Sequence, residues 1–304
     1  MTGLVVKNTG SDYLVLSDSD RSLHLCKAKG NFRIKGIKST NPIAIGDRVE
    51  FGAEGFITKL QDRKNYLVRK PTNLSKQLHI LAANIDQALL FVTIKYPETD
   101  ITFIDRFLAS AEAYNVPAKL VFNKIDLLDD DDKAYLEAMM YLYRSIGYEC
   151  LPMSAKEHLG VDTLKQWCEG KISLLSGNSG VGKSTLINTL IPDAKAQVGN
   201  ISQSHLKGMH TTTFSEMYIG ENDMYLIDTP GIKGFGTVDF KEEEVAHYFP
   251  EIFKISADCK YGNCTHRHEP DCAVLKALEE HRIAQSRYNS YLSIIEDASE
   301  KKYR

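Results

Sequence analysis

No stretch of this 304-residue sequence is long and apolar enough to cross a bilayer. The run over 88–94 is far too short, and residues 1–16 are broken by Lys7 and Asp12, so neither a membrane span nor a signal peptide is expected. Cysteine is sparse: the six, at Cys26, Cys150, Cys168, Cys259, Cys264 and Cys272, are scattered in a way that argues against a disulfide framework and for a cytoplasmic chain. An overall excess of one charge is also missing, with 37 Lys and Arg against 40 Asp and Glu. The length and a 43% hydrophobic content predict two to three domains with a sizeable core.

What is present is a set of nucleotide-binding signatures in inverted order. Asn123, Lys124 and Asp126, then Ser154, Ala155 and Lys156, come before the glycine-rich run Gly177, Asn178, Ser179, Gly180, Val181, Gly182, Lys183, Ser184 and Thr185. Thr211, Thr212 and Thr213, then Asp228 to Gly231, follow it. A circular permutation of a P-loop GTPase domain is the simplest account. The predicted strand over 171–176 and helix over 183–190 place the glycine-rich turn where backbone N–H groups converge on phosphates at a helix N-terminus. Lys183 supplies a point charge to the β- and γ-phosphates, and Ser184 offers a hydroxyl to Mg²⁺.

The strand predicted over 118–122 ends at Asn123. There the Asp126 carboxylate can accept from both guanine donors, a pair that adenine lacks. Lys124 is expected to lay its stem over the base, and the Ser154 to Lys156 loop, after a strand over 149–153, to present backbone N–H to the guanine carbonyl. Asp228 should hold Mg²⁺ through water at the end of a strand over 224–227, Thr212 should complete the metal shell, and the Gly231 N–H should contact the γ-phosphate. Lys183, Thr212 and Gly231 are thus the expected catalytic groups. Ile232 stands where many GTPases place a water-orienting glutamine and cannot do that work. His210 and His247 are the nearby imidazoles, each read as a surface or packing residue.

Two flanking regions complete the organisation. Residues 1–70 hold short predicted strands over 4–6, 13–16, 23–26, 48–51 and 56–60, which suit a small all-β barrel of the oligonucleotide-binding type. Thirteen Lys and Arg against seven Asp and Glu give that region +6, whereas 24 against 33 give the remainder −9, so the barrel is expected to face a polyanion. The alternative is an ordinary solvated basic face, since only Tyr13, Phe32, Phe51, Phe56 and Tyr66 are available for base stacking. Near the other end, Cys259, Cys264, His266 and Cys272 can close a tetrahedral shell around a structural Zn²⁺, with His268 as an alternative imidazole. Helices are predicted over 273–284 and 286–297. Cys26, Cys150 and Cys168 are read as core residues.

A basic barrel, permuted motifs and a Cys/His cluster in this order resemble the RsgA (YjeQ) family over almost the whole chain. Residues 82–87 and 104–108 also resemble that family's segments leading into its nucleotide domain, whereas Met209 departs from the Arg expected before the His-Thr-Thr run. The resemblance implies a barrel over 1–70, a permuted α/β GTPase domain over 71–236 and a mostly helical zinc-binding domain over 237–304. It implies a monomeric GTPase that binds GTP and GDP and helps mature the small ribosomal subunit on its 16S rRNA near the decoding centre. It also implies stimulation by that subunit. Two other classes are open: a nucleotide-regulated RNA-binding protein acting outside the ribosome with little turnover, and an enzyme coupling nucleotide hydrolysis to synthesis, for which no second substrate constellation is visible. Because the chain leaves directly after Gly231, hydrolysis is expected to move the zinc region against a fixed barrel.

Overall fold

The computed structural model describes residues 1–28, 42–69, 79–194, 216–228 and 240–302. Strands β1 (Thr2–Asn8), β2 (Asp12–Ser17), β3 (Leu23–Ala28), β4 (Arg48–Phe51) and β5 (Phe56–Leu60) pair in the order 1-2-3-5-4, and a β1–β4 pairing closes them into a barrel. The period-2 alternation of each strand sends Val5, Tyr13, Val15, Cys26, Val49, Phe51 and Ile57 into its interior. Strand β1 is buried on both faces, because Leu4 and Val6 on its other side join the core of the neighbouring domain.

After a two-stranded pairing of β6 (Tyr66–Arg69) with β7 (His79–Ala83), the chain enters an α/β unit. It comprises β8 (Gln87–Val92), α1 (Ile101–Ala113), β9 (Ala118–Phe122), α2 (Asp130–Ser145), β10 (Glu149–Pro152), α3 (Val161–Cys168), β11 (Ile172–Gly177), α4 (Lys183–Leu190), β12 (Glu216–Ile219) and β13 (Tyr225–Asp228). The strand order is β10-β9-β8-β11-β13-β12, parallel except for β12. Strands β8 and β11 are buried along their whole length, as expected of central strands covered on both sides. The order reverses between β8 and β11, and the crevice at such a reversal, at the carboxyl ends of the strands, is where ligands settle. Strand β12 also pairs with β1 at Glu216 and Lys7, so barrel and α/β sheet form one run of eleven strands.

A 3₁₀ turn (Glu242–Tyr248), α5 (Pro250–Ser256), α6 (Ala273–Glu279) and α7 (Gln285–Lys302) build the last domain. Helix α6 stops before the predicted 284 because His281 takes a left-handed conformation (φ 57°) and the Arg282 N–H turns back to the Ala277 carbonyl, a C-terminal cap. This domain does not hang loosely from the chain: its core includes Ala109 of α1. The Arg287 guanidinium of α7, 1% exposed, donates to Asp105 of α1 at 2.9 Å and to Glu251 of α5 at 2.7 Å. Arg106 reaches Asp297 and the Ser293 carbonyl beside that pair. Among the described residues no helix is long and apolar enough to span a membrane, and all six cysteines are free thiols, with Cys26, Cys150 and Cys168 buried.

Candidate functional site

Four motif segments meet at the carboxyl edge of the parallel sheet. Val92 and Phe122 pair across β8 and β9, Phe122 with Pro152 across β9 and β10, Gly177 with Phe91 across β11 and β8, and Asp228 with Leu175 across β13 and β11. The residues that follow these strand ends therefore share one rim. Gly177, Gly180 and Gly182 take φ of 137°, 82° and 103°, which bends the glycine-rich loop into α4. At Gly182 a Cβ would lie 2.3 Å from the Asn123 Nδ2, so only glycine fits there.

Lys183 folds back over the loop, with its Nζ donating to the carbonyls of Gly177 at 2.7 Å and Asn178 at 3.0 Å. Burial lowers its pKa, and the negative charge of Asp228 opposes that shift. An ammonium held by neutral carbonyls beside a carboxylate is placed to receive an anion. Ser184 is half-buried on the first turn of α4, while Ser179 and Thr185 are exposed.

The base-side residues are joined by contacts that spacing did not reveal. Asn123, 4% exposed, gives its Nδ2 to the Val181 carbonyl at 2.8 Å and accepts the Ala155 N–H at 3.0 Å. The amide thus ties the phosphate loop to the Ser154 to Lys156 loop through one N–H and its oxygen, which leaves the second N–H for another partner. The fully buried Ser154 donates its hydroxyl to Asp126 Oδ1 at 2.6 Å and accepts the Glu157 N–H, so this hydroxyl orients the carboxylate. An isolated serine after a strand carries no signal for that role. Lys124 sits in a left-handed conformation (φ 64°), and its ammonium donates to the Tyr96 carbonyl. Lys156 is exposed beside Glu157. Thr211, Thr212, Thr213, Gly231, His210, Met209 and Ile232 lie outside the described residues. His247 is exposed with its ring against Phe253 at 4.8 Å, a packing contact.

The second cluster is compact. The ligand atoms of Cys259, Cys264, His266 and Cys272 all lie within 4.8 Å of one another. Sulfur pairs stand 3.6 and 3.9 Å apart, and His266 Nδ1 lies 3.4 and 3.6 Å from Cys272 and Cys259. Metal–sulfur bonds of about 2.3 Å in a tetrahedron imply edges near 3.8 Å, so these separations fit one cation. Burial lowers the His266 pKa and keeps the imidazole in its neutral, coordinating form. Around it, Glu269 accepts the backbone N–H of Thr265, Arg267 and His268, and the Tyr288 and Tyr291 hydroxyls donate to the carbonyls of His266 and Thr265. The exposed His268 takes no part in the cluster.

The RsgA GTPase family model matches residues 60–238, and the RsgA N-terminal domain model matches residues 2–56. The chain is 63% identical to the small ribosomal subunit biogenesis GTPase RsgA 2 of Bacteroides thetaiotaomicron, over 100% of this chain and 99% of that one. Among solved structures it resembles YjeQ from Thermotoga maritima, at TM-score 0.79 and 34% identity over 98% of each chain. It also resembles YloQ, described as a circularly permuted GTPase, at TM-score 0.76 and 29% identity over 100% of this chain and 96% of the other.

Proposed function

The chain belongs to the RsgA GTPase family and is a GTPase of small ribosomal subunit biogenesis; we propose that it binds the subunit through 16S rRNA, that the subunit stimulates its hydrolysis of GTP, and that hydrolysis is coupled to its release. The observation that carries this reading is the single rim on which Asp126, the glycine-rich loop and Asp228 converge. In it Asp126 reads guanine, with Asn123, Lys124 and the loop of Ser154, Ala155 and Lys156 framing the base. Gly177 to Thr185 cradle the phosphates. Ser184, Thr212 and Asp228 would hold Mg²⁺, which would neutralise charge on the phosphates, while Lys183, Thr212 and the Gly231 N–H would stabilise the charge that develops on the transferred phosphoryl group. The division into a barrel over 1–70, a GTPase domain over 71–236 and a zinc domain over 237–304 belongs to the same proposal, as do a monomeric state and a cytoplasmic location.

One feature of the joint supports coupling between nucleotide and RNA. Strand β13 carries Asp228 at one end and Tyr225 at the other. The Tyr225 hydroxyl accepts a hydrogen bond from Arg21 of the barrel at 2.7 Å, and Arg21 also pairs with Asp223 at 2.6 Å. The strand that ends at the phosphate side is thus fastened to the domain proposed to hold RNA. The isolated protein is expected to hydrolyse GTP at roughly 10⁻⁴ to 10⁻² s⁻¹, and purified small subunits to raise the rate by on the order of 10³-fold. Lys183→Ala should abolish the stimulated rate. At subsaturating subunit the stimulation should fall steeply with added salt while the basal rate holds. Binding of GTP without turnover in either condition would favour an RNA-binding regulator acting outside the ribosome.

The Cys259, Cys264, His266 and Cys272 cluster fits structural Zn²⁺, since four protein ligands leave no open position. Cys264→Ser should lose stoichiometric zinc and loosen the loop between Cys259 and Cys272, measured as metal content and amide exchange. Equal zinc in variant and parent would remove this assignment.

A further inference from the structure

The guanine-reading loop is held from outside by a segment that carries no nucleotide signature. Residues 93–99, between β8 and α1, form a closed loop whose ends bond to each other. The Thr93 N–H donates to Thr99 Oγ1 at 3.1 Å, the Thr99 N–H returns to the Thr93 carbonyl at 2.9 Å, and the Thr93 hydroxyl donates to the Pro97 carbonyl. Thr93 and Thr99 are both buried, so the loop tip between them has a fixed base.

From that tip two adjacent residues reach the loop after β9 on either side of Asp126. The Tyr96 carbonyl accepts the Lys124 ammonium, two residues before Asp126. Lys95 donates to Asp129 Oδ2 at 2.9 Å and pairs with Asp132, three and six residues after it. Asp129 and Asp132 are themselves locked together as the capping box of α2, each side chain accepting the other's backbone N–H. Lys95 therefore fastens a rigid helix start rather than two independent side chains. Its own pKa is raised by the hydrogen bonds to Asp132 and Asp129, so it stays charged throughout the working range.

We infer that Lys95 is a positioning residue for base recognition: with the Tyr96 carbonyl it braces the loop from Lys124 to Asp132, so that the Asp126 carboxylate is presented at a fixed angle to the base. This rests on the assignment of Asp126 to guanine made above. The contact is partly exposed, Lys95 at 38% and Asp132 at 12%, so its effect is modest and screened by salt. A loosened brace weakens the paired hydrogen bonds of Asp126, and inosine triphosphate, which lacks the exocyclic amine, has only one of them to lose.

The test is equilibrium binding of GTP and of inosine triphosphate to the full-length parent and to Lys95→Met, Lys95→Arg and Asp126→Asn. Lys95→Met should raise the Kd for GTP about 3- to 5-fold, raise that for inosine triphosphate less, and so narrow the ratio between them. Lys95→Arg should restore most of the ratio, and at about 0.5 M salt the parent should approach Lys95→Met. A merely structural role would lower Tm and weaken both nucleotides by the same factor. That outcome, or an unchanged Kd for GTP, would overturn the brace. If Asp126→Asn loses its preference for GTP while Lys95→Met keeps it, the brace alone falls. If Asp126→Asn keeps that preference, the guanine assignment falls first.

Discussion

Asp126→Asn is expected to weaken GTP binding by about 3–4 kcal/mol, on the order of 10²- to 10³-fold, and to favour xanthosine triphosphate instead. The direction follows from the neighbour of the carboxylate. Ser154 donates its buried hydroxyl to Asp126 Oδ1 at 2.6 Å, and that hydroxyl is held in turn by the Glu157 N–H. A donor fixed at that position selects the carbonyl oxygen of the substituted amide, which turns the amide nitrogen toward the base. Guanine then meets a donor with two donors of its own, whereas the carbonyl of xanthine meets a donor that it can accept. Titration of the variant with both nucleotides checks this, and retained GTP affinity would remove Asp126 from base recognition. Ser154→Ala should shift the same preference in the same direction but far less, because it frees the carboxylate to rotate without replacing it.

The parts of this site that were legible in the sequence are those whose information is local. The strand over Ala118–Phe122 was readable because a short apolar run ends at a motif, and the helix over Lys183–Leu190 because it begins at one, with Gly182 at its boundary. The metal cluster was readable because its four ligands fall within fourteen residues, from Cys259 to Cys272. What was not legible depends on partners far apart in the chain. Asn123 also ties Val181 and Ala155 together, residues 58 and 32 positions away, and spacing alone did not show those contacts. The pairing of β1 with β12 joins two sheets through strand edges, and edges carry no sequence code for their partner. Asp105 sits on the buried face of α1 with Ile104, Phe107 and Leu108, where its charge is unexplained until Arg287, 182 residues later, packs against it.

That same buried pair bears on the expected movement of the zinc region after hydrolysis, because it clamps the last domain to α1. Arg287 is fully buried between the Asp105 and Glu251 carboxylates and lies over the Phe249 ring at 4.5 Å, while the Tyr143 hydroxyl of α2 donates to Asp105 at 2.9 Å. Any movement of the zinc domain must therefore carry α1 with it or separate a charge pair in a dry interior. Arg287→Met leaves Asp105 buried without its cation, which should cost about 3–5 kcal/mol and lower Tm by roughly 10 °C. Burial already raises the Asp105 pKa and the Arg287 charge opposes that rise, so removing Arg287 raises it further. A folded pKa above the unfolded value adds stability at low pH and loses it as pH rises, so the deficit of Arg287→Met should be largest near pH 8 and shrink toward about pH 5.5. Replacing the partner as well, in Asp105→Asn with Arg287→Met, should recover part of the loss and flatten its pH dependence. Thermal melts of the parent, Arg287→Met, Asp105→Asn and the double variant across that range decide the matter: a deficit independent of pH, or a double variant no better than Arg287→Met, would mean that Arg287 stabilises the joint by packing on Phe249 rather than by neutralising Asp105.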